Sequence, residues 1–182
     1  MDRNLVIIFG VVFLCVLAYV LIFPSNSPVK EAEISTTAQP LQKTAVFVTE
    51  KGTIKILLFT EDLPVTTLNF IDLVDRGFYD NLTFHRVETG FVIQTGDPTA
   101  TGRGGSGKTI PLETSPKHKN VRGGVGMART SDPNSASSQF YILMRNSPAL
   151  DGGYSIFGEV TQGMDVVEQI QVGDRIVKAS IE

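Results

Sequence analysis

The chain has 182 residues, which is enough for one domain of ordinary size with a real hydrophobic core. Its formal net charge is -3, so the charge balance gives no indication of nucleic acid as the main partner. The single cysteine, Cys15, excludes a disulfide within the chain. Two histidines, His85 and His118, are too few soft ligands for a structural zinc site. We therefore expect no metal and no other cofactor.

A long uncharged stretch, Leu5–Phe23, lies close to the N-terminus. Its 19 residues would form about 28 Å of helix, close to the hydrocarbon thickness of a bilayer. We interpret residues 1–23 as a retained transmembrane anchor. The alternatives are a cleaved signal peptide, whose apolar core usually runs about 7–15 residues, and lipid attachment at Cys15. With Arg3 before the stretch, the positive-inside rule favours a single-pass membrane protein with its domain on the extracytoplasmic side.

Residues 24–43 are rich in proline, serine and threonine and contain no aromatic residue, which is typical of a flexible linker. From residue 44 onward the composition becomes globular, so we assign residues 44–182 to one folded domain. Alternating and apolar segments predict strands at 45–49, 53–59, 82–87, 91–95, 124–128, 139–144, 155–160 and 175–181. Helical spacing of Val65, Leu68, Ile71 and Val74 predicts one helix, and residues 164–173 predict a second. Many short strands with two helices predict a mainly β fold, a closed antiparallel barrel capped by the helices.

One segment, residues 84–97, combines a positive side chain (Arg86), an aromatic one (Phe91), an aliphatic pair and an amide (Gln94). Successive side chains of an extended segment point to opposite faces, so Val92 and Gln94 should face the same way. The segment contains no nucleophile paired with a base and no cluster of metal ligands. It favours recognition of an uncharged, partly apolar group over bond-breaking chemistry.

A glycine-rich segment, Gly102–Thr109, satisfies the phosphate-loop pattern G-x-x-x-x-G-K-[ST]. A phosphate loop needs a helix directly after it, because the helix N-terminus supplies the anion site. Pro111 opposes a helix growing from Lys108. We therefore interpret the segment as a flexible surface loop and expect no nucleotide.

Three blocks of sequence carry a family resemblance: FHRVETGFVIQTGDPTATGRGGSGKTIPLE, then GGVGMARTSDPNSASSQFYIL, then LDGGYSIFGEV. Their residue types and order resemble the cyclophilin family of peptidyl-prolyl cis/trans isomerases, from about Thr44 to Ile181. The resemblance implies an eight-stranded antiparallel β-barrel capped by two α-helices, with the anchor and linker outside it. It also implies that the chain is an enzyme acting on unfolded or proline-containing polypeptides, and we expect a monomer.

The resemblance assigns roles to individual positions. Arg86 matches the catalytic arginine of the family. The substrate-binding positions that it implies are Phe91, Val92, Gln94, Ala128, Arg129, Thr130, Gln139, Tyr141, Leu150 and Tyr154. His85 has the opposite parity to Arg86, so we interpret it as a buried, hydrogen-bonded histidine and not as a general base.

This chain departs from the usual pattern of the family at several positions. Arg129 replaces a more usual asparagine, and Tyr141 stands where a pocket phenylalanine is usual. Ala149 stands where the best-known members have a tryptophan, which weakens the expectation of cyclosporin binding. Tyr154 replaces a histidine and resembles the bacterial type of the family.

Two functions from different classes fit these observations. The first is a membrane-anchored prolyl isomerase that assists the folding of exported proteins by stabilising the twisted amide without covalent chemistry. The second is a non-catalytic chaperone or scaffold module that holds proline-containing segments in the same groove. The presence of Arg86 favours the enzyme.

Overall fold

The computed structural model describes residues 42–182. The predicted anchor and nearly all of the predicted linker lie outside the described residues, so both remain predictions. Among residues 42–182, no helix is long and apolar enough to cross a membrane.

Eight strands and two helices follow one another along the described chain. The strands are β1 (Thr44–Thr49), β2 (Gly52–Leu58), β3 (Arg86–Glu88), β4 (Val92–Thr95), β5 (Gly124–Met127), β6 (Phe140–Leu143), β7 (Ile156–Gln162) and β8 (Ile176–Ile181). Helix α1 (Pro64–Asp75) follows β2, and the short helix α2 (Met164–Val167) precedes β8. A turn of 3-10 helix, Pro148–Leu150, lies between β6 and β7. The mainly β fold with two helices is confirmed.

The strands form one antiparallel sheet in the order β3-β4-β6-β5-β7-β2-β1-β8. Strands β3 and β8 therefore stand at the two ends of the order. The ends approach each other through an isolated antiparallel bridge between Thr83 and Arg175, which lie just before β3 and β8. The described structure is thus an eight-stranded curled sheet, a half-barrel. Full closure of the barrel, which the sequence predicts, is not shown by this strand order.

The curled sheet buries apolar side chains on both faces, as the period of two along each strand requires. Ile93, Phe140 and Ile142 belong to the main core, together with Phe47 of β1 and Phe70 of α1. The intervening residues Val92, Tyr141 and Leu143 of β4 and β6 point the other way and form a second apolar cluster with Ile156 of β7. The predicted site residues lie on this second face.

Helix α1 starts with Pro64, whose missing N–H costs nothing in the first turn. The Glu113 carboxylate accepts hydrogen bonds from the backbone N–H groups of Val65 and Thr66, which have no partner inside the helix. The predicted helix is confirmed, but its predicted buried face is wrong in part. Val65 and Leu68 are exposed, because packing of the larger Phe70 ring in the core sets the rotation of the helix.

Two predicted elements are shorter than expected. The strand predicted at 82–87 contributes only its last residues to β3, because the backbone of Phe84 bonds to Gly173 and Asp174 instead of to β4. The second helix ends at Val167, before the predicted stop at residue 173.

Candidate active site

The register of the sheet aligns four residues in one row across four strands. Arg86 of β3 stands opposite Gln94 of β4, Gln94 opposite Tyr141 of β6, and Tyr141 opposite Gly126 of β5. Directly opposed residues of an antiparallel pair share a face of the sheet. The row therefore brings a guanidinium, an amide and a phenol together on the face that carries the second apolar cluster.

A pocket of about 260 Å³ opens on this row. We call it the proline pocket, after the ligand that the family resemblance implies for these positions. Its lining consists of predicted site residues: Arg86, Phe91, Val92, Gln94, Ala128, Arg129, Tyr141, Leu150 and Tyr154. The two remaining predicted residues, Thr130 and Gln139, line an adjoining pocket that shares Gln94, Ala128 and Arg129 with the first. Ala149, the neighbour of Leu150, lines neither pocket and is exposed.

Tyr141 forms the floor of the proline pocket. Its ring fits because Gly126 lies opposite, where any Cβ atom would overlap the phenol. Its hydroxyl donates a hydrogen bond of 3.0 Å to Oδ1 of Asn120, a buried residue that the sequence analysis missed. Burial raises the pKa of Tyr141, so the hydroxyl stays protonated and remains a donor. The Tyr154 ring packs edge-on against it at 5.8 Å between centroids.

Arg86 stands at the edge of the proline pocket, held by two neighbours. Its Nε donates to Oε1 of Glu88 at 3.0 Å, and its Nη2 donates to the same oxygen. Its Nη1 donates to Oε1 of Gln94 at 2.9 Å. Glu88 is not among the residues predicted from the sequence, although the spacing of two along a strand places it on the same face as Arg86.

The Gln94 amide continues this chain of hydrogen bonds away from Arg86. Its Nε2 donates to Oε1 of Gln139 at 2.8 Å, and Nε2 of Gln139 donates to the Gly104 carbonyl at 2.8 Å. The glycine-rich loop is thus linked to Arg86 and lines the second pocket, a role that the sequence analysis did not predict. The segment directly after the loop, residues 110–123, contains no helix whose N-terminus could bind a phosphate.

A buried carboxylate, Asp97, shapes the glycine-rich loop from inside. It accepts hydrogen bonds from the backbone N–H groups of Thr99, Thr101 and Gly104 and from the Thr99 hydroxyl. Burial alone would raise the pKa of Asp97, but these donors, Thr99 first, lower it to about 2. A Cβ atom at Gly104 would overlap the carboxylate, so glycine is required there. The sequence carries a signal for this turn, because an Asp-Pro-Thr sequence before a glycine-rich run is typical of an aspartate that accepts hydrogen bonds from the following backbone.

His85 differs from its prediction. Both ring nitrogens are buried, and neither has a hydrogen-bond partner among residues 42–182. The ring lies beside the glycine-rich loop, where the Gln139 amide is already engaged by Gln94 and Gly104. Burial lowers the pKa of His85, and the negative charge of Asp97 does not compensate. The prediction of a buried ring is therefore confirmed for its two nitrogens, whereas the predicted hydrogen bonds are not found among the described residues.

Comparison with known proteins identifies the family. Residues 44–181 match the family model described as cyclophilin type peptidyl-prolyl cis-trans isomerase/CLD. A peptidyl-prolyl cis-trans isomerase of Synechococcus elongatus is 42% identical over 139 residues, which cover 75% of this chain and 94% of that protein. One from Helicobacter pylori is 39% identical over 151 residues, covering 81% of this chain and 89% of that protein.

A solved structure agrees with these sequence matches. A cyclophilin type peptidyl-prolyl cis-trans isomerase of Cryptosporidium parvum, crystallised in the presence of the dipeptide Ala-Pro, superposes with a TM-score of 0.71 at 34% identity. The match covers 76% of this chain and 98% of that one. The folded domain described above therefore belongs to the cyclophilin-type family of peptidyl-prolyl cis-trans isomerases.

Proposed function

We propose that the proline pocket accelerates rotation about X–Pro bonds by binding the twisted amide more tightly than either planar form. Amide resonance creates a barrier of about 18–20 kcal/mol, and crossing it makes or breaks no covalent bond. An enzyme lowers such a barrier by differential binding of the transition state. The observation that carries the proposal is the position of the Arg86 guanidinium at the edge of a pocket whose wall includes apolar side chains such as Phe91 and Val92.

In this mechanism Arg86 acts on the prolyl nitrogen. As the bond twists, the nitrogen regains its lone pair and becomes a hydrogen-bond acceptor. A guanidinium has five N–H donors and stays charged at every physiological pH. Three of them point at Glu88 and Gln94, which leaves one N–H on each terminal nitrogen for the substrate. Arg86 is the catalytic residue in this proposal.

The other predicted residues bind the substrate and hold it in place. Phe91, Val92, Leu150 and the Tyr141 ring supply the apolar wall against which a proline ring packs. Gln94 and Gln139 fix the direction of the guanidinium through their amide chain. The Cryptosporidium relative was crystallised in the presence of the dipeptide Ala-Pro, which supports a proline-containing peptide as the ligand of this pocket.

The test is NMR exchange spectroscopy on a short X–Pro peptide with catalytic amounts of the full chain. A charge-assisted hydrogen bond contributes about 1.5–3 kcal/mol, so Arg86→Ala should lower kcat/KM by about 10- to 150-fold. Arg76→Ala is the matched control, because Arg76 pairs with Asp72 on the exposed face of α1. If the folded chain binds the peptide without accelerating exchange, the binding-module function replaces the enzyme.

We further propose that Leu5–Phe23 anchors this isomerase in a membrane and that the domain assists the folding of exported proteins. The support is the length and uncharged character of the stretch and the position of Arg3 before it. Alkaline extraction of membranes followed by protease treatment of intact cells or spheroplasts tests both parts. Release of the chain by alkali contradicts the anchor, and protection from external protease contradicts the orientation.

The finer assignment to the bacterial type of the family is part of the same proposal. The support is the residue type at position 154, because bacterial-type members have a tyrosine where the best-known members have a histidine, and Tyr154 lines the proline pocket. Tyr154→His should then leave kcat/KM within about threefold of the parent. If Tyr154→His lowers kcat/KM as much as Arg86→Ala does, the tyrosine is essential for activity, which contradicts the proposal.

A further inference from the structure

The second pocket, next to the proline pocket, carries positive charge that the proposed mechanism does not use. It measures about 260 Å³, and its lining includes Arg103, Arg129, Thr130 and Gln139. It includes no aspartate or glutamate. Because the two pockets share Gln94, Ala128 and Arg129, a single extended peptide can occupy both.

Arg129 stands on the border between the two pockets in a fixed position. Its Nε donates to the Gly153 carbonyl and its Nη1 to the Thr130 carbonyl, each at 2.8 Å. Its guanidinium also lies over the Tyr154 ring, 4.7 Å from the centroid. A side chain held in this way loses little conformational entropy when it binds a ligand.

The charge of Arg129 is not neutralised by its neighbours. Carbonyl oxygens and an aromatic face carry no net charge, and the ion pairs found within residues 42–182 include neither Arg129 nor Arg103. The carboxylate of Asp97 lies behind Gly104, but it is buried and is occupied by donors from its own loop. Glu88 is paired with Arg86. The second pocket is therefore open to an anion.

We propose that the second pocket binds an aspartate or glutamate side chain of the substrate, with its carboxylate on Arg129. Planar guanidinium groups bind carboxylates through paired hydrogen bonds. Alternate side chains of an extended peptide point the same way, so neighbouring pockets on one surface take residues two positions apart. The acidic residue is therefore two positions from the proline. The inference rests on the proposed function, since it takes the adjoining pocket as the proline site.

The experiment uses the full chain and alanine-based peptides, blocked at both ends, with one proline. Glutamate, glutamine or lysine is placed two positions before or two positions after the proline, and kcat/KM is measured by NMR exchange. At one of the two positions we expect glutamate to exceed glutamine by about fivefold at low salt, or about 1 kcal/mol at 1.36 kcal/mol per tenfold. Lysine should fall below glutamine, and the ratios should shrink at high salt.

Variants separate charge from structure. Arg129→Gln should reduce the glutamate-to-glutamine ratio to about 1, whereas Arg129→Lys should keep most of it. Lys108→Gln, which removes a cation of the same loop that does not line the pocket, should leave the ratio unchanged. A ratio of 1 or less at both positions overturns the proposal, and so does a ratio that survives in Arg129→Gln. Failure of the enzyme to accelerate the glutamine peptide would instead contradict the proposed function.

Discussion

Asn120 connects the floor of the proline pocket to the turn that carries Leu150. Its Oδ1 accepts a hydrogen bond from the Tyr141 hydroxyl at 3.0 Å, and its Nδ2 and backbone N–H donate to Oδ1 of Asp151 at 3.0 and 2.8 Å. Asn120 is 1% exposed and Tyr141 5% exposed, so water cannot replace a lost partner without opening the site. We predict that Asn120→Ala destabilises the fold and weakens substrate binding.

The size of the effect follows from which groups lose a partner. Asn120→Ala leaves the Tyr141 hydroxyl buried without an acceptor, which costs about 1–3 kcal/mol, and the lost bond to Asp151 adds about 1 kcal/mol. The free energy of unfolding should therefore fall by about 2–4 kcal/mol. Tyr141→Phe in turn leaves Oδ1 of the buried Asn120 without a donor and should also cost about 1–3 kcal/mol. In the Tyr141→Phe background no hydroxyl is left without an acceptor, so Asn120→Ala should then cost at least about 1 kcal/mol less.

A double-mutant cycle measures this coupling. Urea unfolding of the four proteins is followed by circular dichroism, since the chain contains no tryptophan. Asn146→Ala is the matched control, because Asn146 is exposed and its Oδ1 accepts a bond from the Arg122 backbone and not from Tyr141. The KM of Asn120→Ala should rise more than its kcat falls, as the wall at Leu150 loosens. If the losses of unfolding free energy in the two single variants sum to the loss in the double variant within about 0.3 kcal/mol, the two side chains are not coupled and the prediction is wrong.

Three further predictions follow from the site. Asp97→Asn should lower the free energy of unfolding at pH 7 by about 2 kcal/mol, because the folded-state pKa is about 2 against the usual 3.8. That contribution is complete above pH 3.8 and is lost as the pH falls towards 2, which urea unfolding across this range will show. The free energy of unfolding should also fall as the pH drops below about 6.5, because His85 takes up a proton in the unfolded state at a higher pH than in the folded state. His85→Leu should remove the contribution of this residue to the pH dependence of stability. Gly126→Ala should cost about 1–3 kcal/mol by forcing its methyl into the Tyr141 ring, and adding Tyr141→Leu should recover part of it.

Each of these predictions has a result that contradicts it. A difference between Asp97→Asn and the parent that stays constant from pH 5 to pH 2 would show that the carboxylate charge is not what the loop binds. An NMR titration of His85 above pH 6.5 would contradict its burial as a neutral ring. Full stability of Gly126→Ala would mean that the phenol has room to move.

Strand residues of the site were predictable from the sequence because a strand has only two faces. Val92 and Gln94 share a parity, and the structure places both in the proline pocket. Periodicity was less reliable for the buried face of helix α1. Val65 and Leu68 fit the helical period as well as Phe70 does, yet Val65 and Leu68 are exposed and Phe70 is buried. The large Phe70 side chain sets which face of the helix is turned towards the core, and the spacing of apolar residues contains no information on side-chain volume.

The loop residues were not predictable in the same way, because their partners are distant in sequence. Asn120 meets Tyr141 across 21 positions and Asp151 across 31. Nothing local marks such a contact, since an asparagine between a lysine and a valine is an ordinary surface residue until the chain closes around it. The contacts of Asp97 were easier to predict than those of Asn120, because the partners of Asp97 lie within seven positions and form a local turn.

The two pockets differ in how well they tolerate substitution, because the proline pocket is built mainly on strands and the second pocket mainly on loops. The proline pocket depends on the strand row from Arg86 to Gly126, whose register involves four strands, so a substitution there disturbs the sheet as well as the ligand. The second pocket draws Arg103, Thr130 and much of its wall from loops, which tolerate substitution at lower cost to the core. Arg129, which replaces the asparagine usual in the family, follows strand β5 and borders both pockets, with its guanidinium over Tyr154 of the proline pocket. We accordingly expect Arg129→Asn, measured by NMR exchange, to lower kcat/KM for the glutamate peptide more than it lowers kcat/KM for the glutamine peptide.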